Sequence, residues 1–336
     1  MLGTSPSSQR QAGLTLVELL VAMALGLIIV LAAVAALVVS RQGFTQVDAA
    51  SQLRDNARFA ELLIQRLALQ TGYRDIAYAA TSRPPSTHGM TAEKPNIFGF
   101  NNRTHGSTDK SDEANSTERA IGSSGYGSDV LTLRFQAAAA DSSTSADQAI
   151  IDCMGIPLAR AMNDRYERYS SVFHIADSQG EPTLMCSRWE QAEDLGSKST
   201  EPLVSGVEMF QVLYGIDTTG KTVTNADGST SNQPDSVVDQ YLTAEQMANA
   251  DPAITLQRWQ QVRSLRIGMV LRGAPGSAIG NTSTNTLYPL GSSATSQALF
   301  ADNSIDPGTA FTPPNDGRLR QVVTFTVHLR NPQGDE

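Results

Sequence analysis

Apolar positions fall along this chain in three successive patterns. From Leu19 to Val39, 21 residues run without a charged, hydroxyl or amide side chain. As a helix rising 1.5 Å per residue, that run spans about 32 Å, enough for a ~30 Å hydrocarbon core. From 44 to 67, Phe44, Val47, Ala50, Leu53, Ala57, Ala60, Ile64 and Leu67 recur every three or four positions. Arg54, Asp55, Arg58, Glu61 and Arg66 lie between them. This spacing predicts an amphipathic helix with one apolar face. No proline interrupts Leu14 to Thr71, and Gly72 follows as a C-cap residue. The two patterns together predict one helix of about 58 residues, about 87 Å long, with Gly26 and Gly43 as its weak points.

Beyond the helix the period changes to two. Leu131, Leu133 and Phe135 alternate with Thr132 and Arg134. Leu265, Ile267, Met269 and Leu271 do the same, as do Val323, Phe325, Val327 and Leu329. Val207 to Ile216 (VEMFQVLYGI) is a further strong strand candidate. Short strands are also expected at Asn96 to Phe100, Ala149 to Cys153, Ser171 to Ile175 and Thr183 to Cys186. Ala244 to Val262 holds a short helix broken near Pro252. Alternation of this kind builds sheets buried on one face. The stretches 80–128, 217–240 and 273–318 are rich in Gly, Ser, Thr, Asn and Pro and predict long loops. The fold expected is α+β: a long N-terminal helix, transmembrane then amphipathic, packed on an antiparallel β-sheet head with long loops.

Composition narrows the function. The 336 residues carry 34 Asp plus Glu against 25 Lys plus Arg, a formal net charge of -9. Such a chain is poorly suited to nucleic acid, which rewards clustered positive charge. Two Cys and four His exclude a multi-Cys zinc scaffold. Nothing in the composition points to an enzyme, a metal or a cofactor.

The N-terminus carries the sharpest signal. Residues 1–13 (MLGTSPSSQRQAG) are polar, with Arg10 their single charge. A secretory signal has a shorter apolar region closed by a small-residue cleavage site. Here the small residue, Gly13, precedes the apolar run, so the run is expected to be retained. Glu18 stands inside the apolar segment. It either marks the membrane edge or meets a positive partner, the default for an intramembrane charge. Gly13 followed by an apolar stretch with Glu18 at its fifth position resembles the class III signal of type IV prepilins. That resemblance implies cleavage by a prepilin peptidase between Gly13 and Leu14, N-methylation of Leu14, and a role for Glu18 in setting assembly register against a neighbour's N-terminus. Major pilins usually have Phe at the first mature position, where this chain has Leu14. Minor pilins and pseudopilins accept other apolar residues there.

Three later segments, LVSGVEMFQVLYGID (203–217), the Trp259-x-x-Val262-x-x-Leu265-x-Ile267 stretch and RLRQVVTFTVHLRN (318–331), resemble PilW-type minor pilins of type IV pili. The J-type minor pseudopilin of type II secretion has a similar plan and is the close alternative. A membrane-anchored periplasmic binding or catalytic domain is the alternative of another class. The resemblance implies a cleaved leader (1–13), a long helix (14–72, with 14–40 in the membrane or fibre core) and a globular head (73–336). It implies a subunit of the inner membrane with a periplasmic head, which then enters the extracellular fibre and helps initiate its assembly near the tip. Its implied partners are the prepilin peptidase, other minor pilins and the major pilin, the inner-membrane assembly platform, and a tip adhesin. It implies no cofactor.

Cys153 and Cys186 both follow the membrane segment, on candidate strands. An exported head meets an oxidising compartment, where an even pair can bridge; two buried free thiols are the alternative. Closing that 34-residue loop would stabilise the head by about 3–4 kcal/mol in the chain-entropy model.

Other motifs fail on their context. Gly215-Ile-Asp-Thr-Thr-Gly-Lys-Thr222 matches G-x-x-x-x-G-K-[ST], but turn residues rather than a helix follow it, so a hairpin tip is expected instead of a phosphate loop. Asp217, Asp227, Asp235 and Asp239 crowd one loop without EF-hand spacing, and a solvated loop is expected. The four His are scattered in sequence and form no catalytic motif. Trp189 and Trp259 are expected to pack in the core.

Overall fold

The computed structural model describes residues 13, 15–75, 94–141, 145–161, 167–218, 221–224, 230–233, 235–278, 285–291 and 310–333. The remaining leader residues, Leu14, loop residues 76–93 and Asp227 lie outside the described residues. So does most of the loop between 279 and 309.

Helix α1 runs unbroken over Leu16–Gln70, 55 residues, and neither Gly26 nor Gly43 interrupts it. The chain divides into two units, 1–48 and 49–336. In the second unit α1 buries Ala49, Leu53, Ala57, Ala60, Ile64, Leu67 and Ala68. Phe44 and Val47, expected on this face, are 74% and 71% exposed. The reason is angular. Each step of three residues falls about 60° short of a full turn, so three such steps from Phe44 arrive on the opposite side at Leu53. The helix ends as expected. Gly72 has φ 75°, and its N–H turns to Arg134 O at 2.9 Å instead of back into the helix. A Cβ there would also crowd Pro332 O and the Gln333 side chain. The C-terminal tail supplies what the helix end lacks: Asn331 Nδ2 donates to Leu69 O (3.3 Å) and Thr71 O (3.0 Å).

The expected antiparallel head is built as two principal sheets. The first has five strands in simple order: β1 (Ile97–Phe100), β2 (Val130–Phe135), β3 (Tyr169–Ser178), β4 (Glu181–Gln191) and β5 (Leu195–Ser205). Gly206, at φ 82°, turns the chain into β6 (Val207–Ile216) of the second sheet. A two-stranded ribbon follows, β7 (Lys221–Thr224) with β8 (Thr230–Gln233), and then β9 (Gln240–Leu242). Two short helices, α2 (Ala244–Met247) and α3 (Pro252–Gln260), lead into β10 (Val262–Arg272) and finally β11 (Arg320–His328). The second sheet has the order β11-β10-β6-β9, antiparallel throughout. Pro252 starts a helix as well as ending one: it occupies the first turn of α3, and Asp251 caps that turn through Ala253 N. One core unites Leu53, Ala60, Ile64 and Leu67 of α1 with Leu133 and Phe173 of the first sheet and Phe210 and Ile267 of the second.

The sheets are not half-solvated as the alternation implied. All six residues of β2 and all ten of β6 are buried. The loops cover what should have been the polar faces. Ser111, from the excursion between β1 and β2, accepts from Arg134 Nη2 at 2.9 Å, and its carbonyl accepts from Thr132 Oγ1 at 2.6 Å. On the second sheet Thr324 Oγ1 donates to Pro289 O at 2.5 Å. The expected strand Ala149 to Cys153 is a turn instead. Asp152 Oδ1 accepts from Met154 N (2.8 Å) and Ile156 N (3.0 Å) and closes it around Gly155. At the far end of the second sheet, Arg272, Arg318 and Arg320 interleave with Glu181, Glu208 and Asp316 in one ion-pair network. Its tightest members are Arg320 Nε–Glu208 Oε2 and Arg272 Nη2–Glu181 Oε2, both at 2.7 Å.

Candidate assembly segment and stapled head

Gly13 is exposed, and a Cβ there would touch nothing. Leu14 lies outside the described residues. Thr15 precedes the first helical residue, and Glu18 follows it by three. The two side chains cap the helix reciprocally. Thr15 N and Thr15 Oγ1 both donate to Glu18 Oε2 at 3.0 Å, and Glu18 N donates to Thr15 Oγ1 at 3.3 Å. Sequence reasoning singled out Glu18 but missed Thr15. The signal was present: Thr-x-x-Glu directly before an apolar run is a capping box.

Glu18 is the only charge between Leu16 and Ser40, and every residue from Leu16 to Thr45 is exposed. The best window of α1 has a mean hydropathy of 3.0, so by length and composition this helix is able to cross a membrane. An apolar surface this continuous calls for lipid or other helices around it.

The head carries the second predicted feature. Cys153 and Cys186 form a disulfide with Cα atoms 5.9 Å apart, and both residues are fully buried. Cys153 N donates to Ser171 Oγ at 3.1 Å, and Asp152 Oδ2 pairs with Arg188 Nε at 3.1 Å. The bridge and the ion pair fasten the turn at 152–156 to β4, and the hydrogen bond to Ser171 fastens it to β3. Burial pushes the Asp152 carboxyl upward, while two backbone N–H groups and Arg188 pull against it.

The remaining candidates resolve into structure. Two of the four His, scattered in sequence, meet in space: the rings of His105 and His174 lie 5.0 Å apart, with Trp189 6.2 Å from His105. Lys198 Nζ donates to His105 Nε2 (2.8 Å), Gly106 O (2.5 Å) and Asp109 O (2.9 Å). His105 Nε2 is therefore an acceptor, and its proton sits on Nδ1, which donates to Glu113 O at 3.1 Å. Burial first, and the Lys198 cation second, hold His105 down to about 4; burial and the facing His105 hold His174 to about 3. Both rings are neutral at neutral pH and sew the loop after β1 onto β3–β5.

In the phosphate-loop look-alike, β7 begins at Lys221, so strand stands where a helix would be required. Asp217 is buried, not solvated. It accepts from Ser236 N at 2.8 Å and lies 3.8 Å from Arg263 Nε. Asp239 accepts from Thr218 N at 2.7 Å. Among the described residues no group of three His, Cys, Asp or Glu is placed to hold a metal. Trp189 and Trp259 are buried as expected.

An exposed apolar helix that opens on a capped Glu thus leads into an antiparallel head. Residues 8–34 match the prokaryotic N-terminal methylation motif. Residues 172–331 match the family of type IV pilus-assembly protein W. The chain is thus similar to type IV pilus-assembly protein W over 172–331 and to the methylation motif over 8–34. Among solved structures, a type IV-like pilin from Thermus thermophilus is similar at 14% identity with a TM-score of 0.35, covering 84% of this chain and 98% of that one. No curated protein matches the chain. The family matches point to a structural chain of the pilus apparatus rather than a catalytic one.

Proposed function

We propose that this protein is a minor pilin, a structural subunit that helps to initiate type IV pilus assembly and is built into the fibre at or near its tip. The observation that carries this reading is the joint occurrence, on one chain, of the methylation motif over 8–34 and the W-type match over 172–331. In this reading residues 1–13 are a cytoplasmic leader, and prepilin peptidase cuts between Gly13 and Leu14 and methylates Leu14. Helix residues 14–40 hold the subunit in the inner membrane and later in the fibre core, and residues 41–72 continue the helix onto the head, 73–336. The head is periplasmic before assembly and extracellular after it. Glu18, already held at the helix start by Thr15, pairs with the N-terminal amine of a neighbouring subunit and sets register. The partners are other minor pilins and the major pilin, the assembly platform and a tip adhesin.

The test is the intact mass and N-terminal sequence of the protein recovered from its native membrane. A start at methylated Leu14 is expected. A start at Met1 would make the helix an ordinary anchor and overturn the proposal, including the role of Glu18.

A further inference from the structure

The outer edge of the first sheet opens on a cavity. Among the described residues β1 pairs only with β2, and beyond it a space of about 250 Å³ lies between the strand and the helices α2 and α3. Its floor is aromatic. Phe98 and Phe100 meet edge-on with centroids 5.0 Å apart, and Phe98 lies 5.1 Å from Trp259. Its side carries a main-chain edge. Asn96 O accepts from Arg134 N, so positions 96, 98 and 100 bond to β2, and alternation turns the N–H and C=O of Gly99 away from it. Gly99 lines the cavity. Its rim is acidic. Glu245, in the first turn of α2, uses its N–H on Asn101 Oδ1 at 2.7 Å, and among the described residues its carboxylate makes no hydrogen bond or ion pair. Glu118 is 59% exposed and pairs with Arg103 Nη2 at 3.6 Å; Arg103 lines the same cavity, so two carboxylates face one guanidinium there. Past Asn101 a second hollow continues the groove, lined by Glu118, Glu245 and the buried Asp129 and by no basic residue.

We propose that this cavity docks a protein partner that lays an extended segment along β1 and inserts one Lys or Arg side chain. Each wall has a matching part. The free groups of Gly99 meet the partner's main chain, as in strand addition to a sheet edge. The two Phe rings take the aliphatic stem and the flank of the cation. Glu245 and Glu118 take the charged head through charge-assisted hydrogen bonds. With Glu118 paired to Arg103, Glu245 is the carboxylate that selects a basic side chain over an apolar or acidic one of similar length. The inference concerns the head alone and does not depend on the pilus reading.

The experiment titrates the full-length protein in detergent micelles with fluorescein-labelled pentapeptides Ser-Thr-X-Thr-Ser, where X is Lys, Arg, Gln, Leu or Glu, read by anisotropy. The Lys and Arg peptides are expected to bind at least about tenfold tighter than the others, and to weaken as salt is raised. Glu245→Gln, at an exposed helical position, should erase the preference for Lys over Gln while leaving the fold intact. Phe100→Ala should weaken every peptide. No binding, equal binding of the Glu and Lys peptides, or a Lys preference that survives in Glu245→Gln would each overturn the proposal.

Discussion

Cys153 and Cys186 stabilise the head mainly through what they deny the unfolded chain. The bridge joins residues 33 apart, and in the chain-entropy model such a loop is worth about 3–4 kcal/mol. Cys153→Ser with Cys186→Ser should lower the urea midpoint of the full-length protein accordingly, and reductant should do the same to the unmutated chain. An unchanged midpoint would assign the stability of this region to the Asp152–Arg188 pair and the turn instead. The His pair acts in the opposite environment. His105 and His174 keep folded values of about 4 and about 3 against an ordinary value near 6.5. The unfolded chain therefore binds more protons below 6.5, and these two rings make stability fall as pH drops from about 6.5 toward 4 and 3. Asp129 works against them. Burial raises it to about 7, so between about 3.9 and 7 the native state holds the extra proton and gains stability as pH drops. Comparing variants separates the two. In His174→Gln the slope of unfolding free energy against pH between 6 and 4 should be smaller by up to about one proton. An identical slope would show that His174 is not kept neutral by its surroundings.

Helix α1 was legible from its residues because an all-apolar run passes into an amphipathic one with no proline between them, and the strands β2, β6, β10 and β11 because they alternate or stay apolar for six residues or more. Strand β5 was not. LGSKSTEPLVS has neither period, and seven of its eleven positions are exposed while one is buried. It is a strand because β4 offers it an edge to pair with. The inner face of α1 was misplaced at Phe44 and Val47 because steps of three drift around a helix. The capping partner of Glu18 was missed because attention went to the charge and not to the residue three positions before it. The covering of Thr132 and Arg134 by Ser111 was beyond reach, since an irregular loop carries no period that says where it packs. The end of α1 yields a sharp test. Gly72→Ala would force a left-handed residue to carry a Cβ, at about 1–2 kcal/mol, and would also push on Pro332 and Gln333. Gly155 has the same φ of 75° and open space around it, so Gly155→Ala should cost only the backbone part. Urea midpoints should therefore rank Gly72→Ala below Gly155→Ala. The reverse ranking would remove the tail contact as a determinant.

For the protein as a whole, the apolar surface of Leu16–Thr45 and the stapled head are different kinds of object. One needs lipid or other helices around it, and the other buries its own core. Glu18→Ala should leave cleavage after Gly13 unaffected, by N-terminal sequencing, and should reduce surface piliation when it replaces the unmutated protein in cells. Normal piliation would sink the register role while leaving the capping role standing. The bond from Asn331 to the carbonyls of Leu69 and Thr71 has a consequence in time. The two ends of that contact are 260 residues apart along the chain. At a ribosome adding about 5–20 residues per second, tens of seconds separate them. Throughout that interval the carbonyls of Leu69 and Thr71 lack this donor. The first long element to be made is thus the last to be finished, and the head closes around it only when strand β11 and the residues just after it arrive.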